Sequence, residues 1–442
     1  MRDLLFLAHR MPYPPDKGDK IRAWHVLQHL ARNHRIHLGC FVDDPDDRQH
    51  LPALAAACAD LCCIPLDPRR QRLKALATLR PGLPLSFGYF RDRRLERWVD
   101  AKLAAGIDRA YVFCSAMAPY LMDADATHRV LDMVDVDSEK FASYAASATG
   151  PMRAVWAREA RTLLAYERRA ALRFDRTLLV SEHEWQRFVT LAPECLPRTF
   201  WFGNGVDLAE FSPDTRHDSP FEPGFADIVF TGRMDYRPNI DAVEWFVRDV
   251  FPLLRRQAPR ARFWIVGAAP SAEVLALAKA DGVRVTGRVA DTRPYLAHAA
   301  VAVAPLRQAH GIQNKVLEAM AMARPVVASP EAFEGIRAQP GRDILLASGV
   351  EQTVRLIGEV LEGRHDALGP AARRAVEAGH RWSETLRPLD ALFGDTPAAG
   401  LLTTGPGTTG PGTTGPVATG PVATGPVAAG PGAAPLEKAF LA

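Results

Sequence analysis

Short apolar runs closed by Gly, Ser or Pro return throughout this chain, with a helix-length segment between one run and the next. In the second half they are IVFTG at residues 228–232, FWIVG at 263–267, VRVTG at 283–287, VAVAP at 301–305, PVVAS at 325–329 and ILLAS at 344–348. A run without polar alternation reads as a strand covered on both faces, and helix-length connections are what parallel neighbours require. The first half repeats the pattern at residues 4–8, 36–42, 110–114, 130–134 and 177–180. The alternation predicts two consecutive α/β units, each a doubly wound parallel sheet. Ligands are then expected at the carboxyl ends of the strands and in the cleft between the units.

The chain has 442 residues, 48% of them hydrophobic, which is enough for two separate cores. Its net charge of +3 is too mild to mark a nucleic-acid surface. Six cysteines lie scattered, without metal-ligand spacing or a disulfide framework, so a reducing cytosol is the expected setting. The apolar LLFLA at the start runs straight into His9 and Arg10, too short for a leader or a membrane span. From about Thr396 a Gly-Pro pair recurs every five residues, which breaks the collagen rule and predicts a disordered tail. Periodicity also lapses at 213–224, the expected boundary between the two units.

The segment from His310 to Ser329, HGIQNKVLEAMAMARPVVAS, follows the fourth strand of the second unit. Val316, Leu317, Met320 and Ala323 are spaced to face a core, so a helix is predicted from Lys315. Gly311 permits a left-handed turn ahead of it, and the N–H groups of Ile312, Gln313 and Asn314 would then offer an anion site beside Lys315. Glu318, read alone, fits an intrahelical ion pair with Lys315 as well as it fits a ligand contact. Arg233 directly follows a strand, where its guanidinium can fork onto phosphate oxygens, and Pro238 marks a helix start. Near the N-terminus, PYPPDKGDKIRAWH makes a second strand, glycine loop and helix, with Gly18, Asp19 and Lys20 at the turn. The acidic stretch 43–47 reads as a solvated loop, and basic helices over 69–80 and 153–173 could face anionic headgroups or simply water. No dinucleotide fingerprint, nucleophile elbow or zinc-protease motif appears.

Together PYPPDKGDKIRAWH, LDMVDVDSEKF, NGVDLAEFSP, TGRMDYRPNIDAVEWF and GIQNKVLEAMAMARPVV resemble the GT-B glycosyltransferases of family 4, and among them the subgroup of the exosortase A (PEP-CTERM) exopolysaccharide systems. The resemblance runs from the first strand to about Phe393. It implies a GT-B fold of two Rossmann-like domains: an acceptor domain at 1–212, a linker at 213–224, a nucleotide-sugar donor domain at 225–379, a closing helix at 380–395 and the tail at 396–442. It implies a retaining transfer from a nucleotide-diphosphate sugar to a hydroxyl of a glycan or lipid-linked glycan, without cofactor or metal. The setting implied is cytoplasmic, within reach of the inner membrane, with no nucleic-acid partner.

Residue by residue, Glu318 matches the family's ribose-binding glutamate, while His310 stands where the sugar-binding glutamate would be. The donor contacts implied are Gly18, Asp19, Arg233, Arg237, Arg288, Val289, His310, Gly311, Ile312, Gln313, Asn314, Lys315 and Glu318. Arg288 and Val289 belong to VTGRVAD, the loop that would hold the base. Asp135, Arg233 and Lys315 carry the catalytic expectation, and Lys20, Ser115, Ser138 and Lys140 the acceptor one. The Asp135-Val136-Asp137 string also matches the metal motif of the other glycosyltransferase architecture and is discounted for that reason. Two other readings stand beside the transferase: a nucleotide-sugar epimerase on the same fold, and a non-catalytic sugar-nucleotide-binding subunit of a polysaccharide assembly complex.

Overall fold

A computed structural model describes residues 1–67, 71, 82–125, 127–309 and 311–393. His310, most of the basic stretch 69–80 and the tail 396–442 lie outside the described residues.

The first half forms a seven-stranded parallel sheet in the order β3-β2-β1-β4-β5-β6-β7. Its strands are β1 (Arg2–Ala8), β2 (His34–Val42), β3 (Asp60–Pro65), β4 (Arg109–Phe113), β5 (His128–Val134), β6 (Arg176–Leu179) and β7 (Thr199–Trp201). The second half forms a six-stranded parallel sheet, β10-β9-β8-β11-β12-β13. These are β8 (Ala226–Thr231), β9 (Ala261–Val266), β10 (Val283–Gly287), β11 (Val301–Ala304), β12 (Val326–Ala328) and β13 (Leu345–Leu346). In each sheet the winding reverses once, beside β1 and β4 in the first and beside β8 and β11 in the second. A crevice opens at such a reversal because the flanking loops leave in opposite directions.

Burial explains the apolar strands. Leu4, Leu5, Phe6 and Leu7 are all fully buried, their side chains divided between cores on the two faces of the first sheet. The second sheet has its own core, with Ile228, Phe230, Phe263, Val301 and Leu317 at its centre.

After helices Gly349–Leu361 and Leu368–Gly379 the chain returns to the first domain. The expected closing helix is two short ones, Trp382–Thr385 and Arg387–Phe393. The break between them falls at Leu386. Ahead of both, His380 and Arg381 make the crossing: Arg381 bridges Val206, and the His380 ring sits between Asn204 O (3.0 Å) and the Arg337 N–H (2.8 Å). Trp382, Leu386, Leu389 and Phe393 then complete the core on one face of the first sheet.

Candidate active site

Two glycine-entered helices point at one another across the cleft. Helix Gly18–Leu30 follows β1, helix Asn314–Ala321 follows β11, and a Cβ built on Gly18 would lie 3.7 Å from Asn314 Nδ2. Neither helix has a side-chain cap, so the first N–H groups of each are left for a ligand or water. Two positive helix ends facing one gap form a site for an anion.

Gly232 ends β8 with φ of 153°, and a Cβ there would stand 3.2 Å from Lys315 Nζ and 2.8 Å from Asn239 Nδ2. Lys315 does not pair with Glu318. Its ammonium turns to Asn239 Oδ1 and lies 4.3 Å over the Phe230 ring, while Asn239 Nδ2 donates to Arg233 O at 2.8 Å. Burial pushes the Lys315 ammonium down to about 7 and the Glu318 carboxyl up to about 7, each shift partly opposed by the other's charge. Both side chains are half-buried at the cleft, and each gains from a ligand that favours its charged form. Asn239 was not legible as a site residue: an Asn just after Pro238 reads as a helix start.

Arg233 follows Gly232 as the sequence implied, but its fork is closed on Asp235, at 3.1 and 2.8 Å. A phosphate reaching it has to compete with that carboxylate. Arg237 is spent on Asp241 one turn along, at 2.6 Å and more than half exposed. Arg288 is exposed and Val289 half-buried in the loop after β10, where Gly287 takes φ of 67°. Ile312 is buried against Gly203 and Gly335, which fixes the turn between the domains. Gln313 caps its own loop by donating to Gly311 O at 3.3 Å.

On the opposite wall Gly311, at φ of 63°, abuts Asp135: a Cβ there would fall 2.5 Å from Oδ1. Burial, with Glu184 and Asp137 close by, pushes the Asp135 carboxyl well above the usual carboxylate range, against the pull of Lys140 and Arg22. The strand ends beside it are strained, Cys114 and Val134 having φ of 79° and 68°. For residues with a Cβ such angles cost about 1–3 kcal/mol each and gather at functional sites. Ser115 donates to Asp137 at 3.3 Å, and both line the same pocket as Asp135 and Lys140.

Three expectations are corrected here. Lys20 is not on the acceptor wall: it is 1% exposed, with its ammonium on Asp47 at 2.6 Å and Asp16 at 3.3 Å. Ser138 is likewise withdrawn, its N–H and hydroxyl both bound to buried Glu167, at 3.1 and 2.6 Å. Nor is 43–47 a solvated loop, since Asp43 holds Arg10 and Lys17 at 3.3 and 3.2 Å and so braces the glycine loop from behind. Asp19, proposed as a donor contact, is engaged by Arg10 at 2.7 Å and by His9 Nε2 at 3.2 Å, and Arg10 holds it well below its ordinary pKa.

The two walls are joined through Asn204, the Asn of NGVD. Its Oδ1 accepts from Arg22 Nη1 at 3.0 Å, and its Nδ2 donates to Asn314 Oδ1 at 3.2 Å. Arg22 in turn grips Asp132 with two bonds of 2.9 and 3.2 Å in the core of the first domain. A continuous polar chain thus runs from β5 to the first turn of the helix after β11.

With this geometry in view, residues 226–362 match the family model described as Glycosyl transferases group 1. No curated protein matches the chain in sequence. Sucrose-phosphate synthase from Thermosynechococcus elongatus aligns with a TM-score of 0.62 at 17% identity, over 89% of this chain and 98% of that one. HepE from Anabaena, in complex with UDP and glucose, gives 0.62 at 14% identity over 88% and 98%. WaaG, a glycosyltransferase involved in lipopolysaccharide biosynthesis, gives 0.61 at 15% identity over 88% and 100%. At these identities the likeness is one of fold, and the shared fold is GT-B.

Proposed function

We propose that this chain, a glycosyltransferase of GT-B fold with a group 1 donor domain, moves a sugar with retention from a nucleotide-diphosphate sugar to a glycan or lipid-linked glycan hydroxyl in exopolysaccharide assembly. The observation that carries the reading is the facing pair of uncapped helix starts at Gly18 and Asn314, with Lys315 beside them and Glu318 one turn deeper. HepE, similar in fold, has been seen with UDP-glucose, which fits a nucleotide sugar as the ligand of such a cleft.

The diphosphate sits between the helix starts, against the N–H groups of Ile312, Gln313 and Asn314. Lys315 regains its full charge there, and Arg233 leaves Asp235 for a phosphate oxygen. Glu318 accepts from the ribose hydroxyls. As the bond to the anomeric carbon breaks, negative charge grows on the diphosphate, and these groups stabilise it without having to move. The acceptor attacks from the same face, and the departing phosphate oxygen takes its proton. The scheme uses no metal. Among the described residues no helix is long and apolar enough to cross a membrane. A cytoplasmic setting within reach of the inner membrane is part of the proposal and rests on the family resemblance.

Thermal-shift screening against UDP-, GDP- and dTDP-sugars identifies the donor, since a ligand at 100 times its Kd adds about 2.7 kcal/mol to the folded state. The glycoside formed from that donor is then analysed by NMR. Retained anomeric configuration is expected; an inverted product would overturn the mechanism, and isomerised donor formed without acceptor would favour an epimerase.

A further inference from the structure

The outer edge of the first sheet gathers four of the six cysteines: Cys40 on β2, Cys58 just after helix Leu51–Ala57, and Cys62 and Cys63 on β3. β2 and β3 pair in parallel with Cys40 directly opposite Cys63, so the two side chains share a face. The Cys40 thiol donates to the Cys63 sulfur across 3.5 Å. Neighbouring strands stand about 4.8 Å apart, within the roughly 4.4–6.8 Å between Cα atoms that a disulfide spans. Closing the gap from 3.5 Å to a bond of about 2 Å asks for a shift of roughly 1.5 Å. The other two thiols lack this placement. Cys62 packs on the core of the opposite face, and Cys58 shares the face of Cys40 but stands on neither of the paired strands.

The two paired sulfurs are not equivalent. Cys40 is fully buried, and the bond it donates, together with burial, holds its thiol well above the ordinary range. Cys63 is half-buried on the edge strand, and accepting that bond favours its thiolate and lowers its pKa. Burial pushes Cys58 up to about 12 and Cys62 up to about 11. The thiolate is the nucleophile, so oxidant attack falls to Cys63 while Cys40 waits behind it as a thiol.

We infer that Cys63 and Cys40 form a redox modification site, in which hydrogen peroxide oxidises Cys63 and Cys40 resolves the product to a disulfide joining β2 to β3. The Cys63 thiolate attacks one peroxide oxygen, the O–O bond breaks, and Cys63 is left as a sulfenic acid with release of hydroxide. Cys40 sulfur then displaces the sulfenic hydroxyl, which departs as water carrying the Cys40 proton. The two cysteines lose two electrons and the peroxide gains them. A dithiol reductant reverses the change by exchange. The bond ties edge strand β3 to the strand that runs on into Asp43, the carboxylate behind the glycine loop.

The reduced full-length protein, freed of reductant, is treated with hydrogen peroxide, alkylated in denaturant at set times and mapped by peptide mass spectrometry. Cys40→Ala, Cys40→Ser, Cys63→Ser and Cys58→Ser are treated alongside. In the wild type the first oxidised product should be the peptide pair joined through Cys40 and Cys63, and dithiothreitol should return both thiols. Either Cys40 variant should instead hold Cys63 as a sulfenic acid that dimedone captures. Cys63→Ser should slow loss of the Cys40 thiol at least about tenfold, because the buried thiol then has no activated partner. Cys58→Ser should oxidise as the wild type does. Melting curves report folding, and the wild-type map decides the pairing even where a variant fails to fold. A first product that joins Cys58 or Cys62 to either sulfur overturns the inference, as does equal loss of the Cys40 thiol in Cys63→Ser. So does a wild type in which Cys40 and Cys63 stay reduced.

Discussion

At the residue scale the proposed donor site holds two groups whose charged forms burial disfavours and a bound nucleotide would favour. Burial raises Glu318 to about 7 and lowers Lys315 to about 7, so both titrate near neutrality. The folded state binds more protons at Glu318 than the unfolded chain between about 4.5 and 7, and fewer at Lys315 between about 7 and 10.5. Empty-site stability from this pair therefore falls as pH rises to 7 and recovers above it. A diphosphate favours charged Lys315 and a ribose favours charged Glu318, so nucleotide affinity should peak near pH 7. In calorimetric titrations Glu318→Gln should remove the acid limb and Lys315→Met the alkaline limb; unchanged limbs would show that other groups set the profile. At Gly311 an added methyl meets both a left-handed φ of 63° and Asp135 Oδ1 at 2.5 Å. Gly311→Ala should cost about 1–2 kcal/mol in strain alone and abolish turnover, read by chemical denaturation and initial rates.

At the scale of elements, the alternation of apolar runs and helices located the strands that carry the cleft, because buried parallel strands admit little else. It passed over β3, DLCCIP, whose polar start and cysteines blur the run, and β7, which is three residues long. Gly18, Gly311 and Lys315 were legible because backbone turns and helix starts leave local signatures. Arg10 and Asn239 were not, since each acquires its role from a partner distant in the sequence, Asp43 for the one and Lys315 for the other. NGVD could be read as a turn, yet nothing local says that Asn204 ties Arg22 to Asn314. Removing it leaves buried partners unsatisfied, at about 1–3 kcal/mol. Asn204→Ala should therefore lower stability by that amount and reduce kcat more than it raises the KM for donor, because Asn314 loses its bond to the other wall. Equal rates in the variant would mean that the polar chain serves folding alone.

At the scale of the whole molecule, two sheets with separate cores meet at their carboxyl edges, and the terminal helices belong to the first core although they follow the second. The chain crosses between domains at 202–206 and again at 380–382, and His380, in the second crossing, holds the first through Asn204 O and the second domain through the Arg337 N–H. Burial holds His380 down to about 4, so the clasp keeps its neutral ring throughout the physiological range. The proposed donor site lies between the two helix starts at Gly18 and Asn314. Its most direct test is calorimetric titration of the nucleoside diphosphate selected by thermal shift into wild type, Lys315→Ala and Glu318→Ala. We predict one tight site in the wild type, with affinity at least about tenfold weaker in each variant, as expected when a charged hydrogen-bond partner is lost; equal affinity in all three proteins would contradict it.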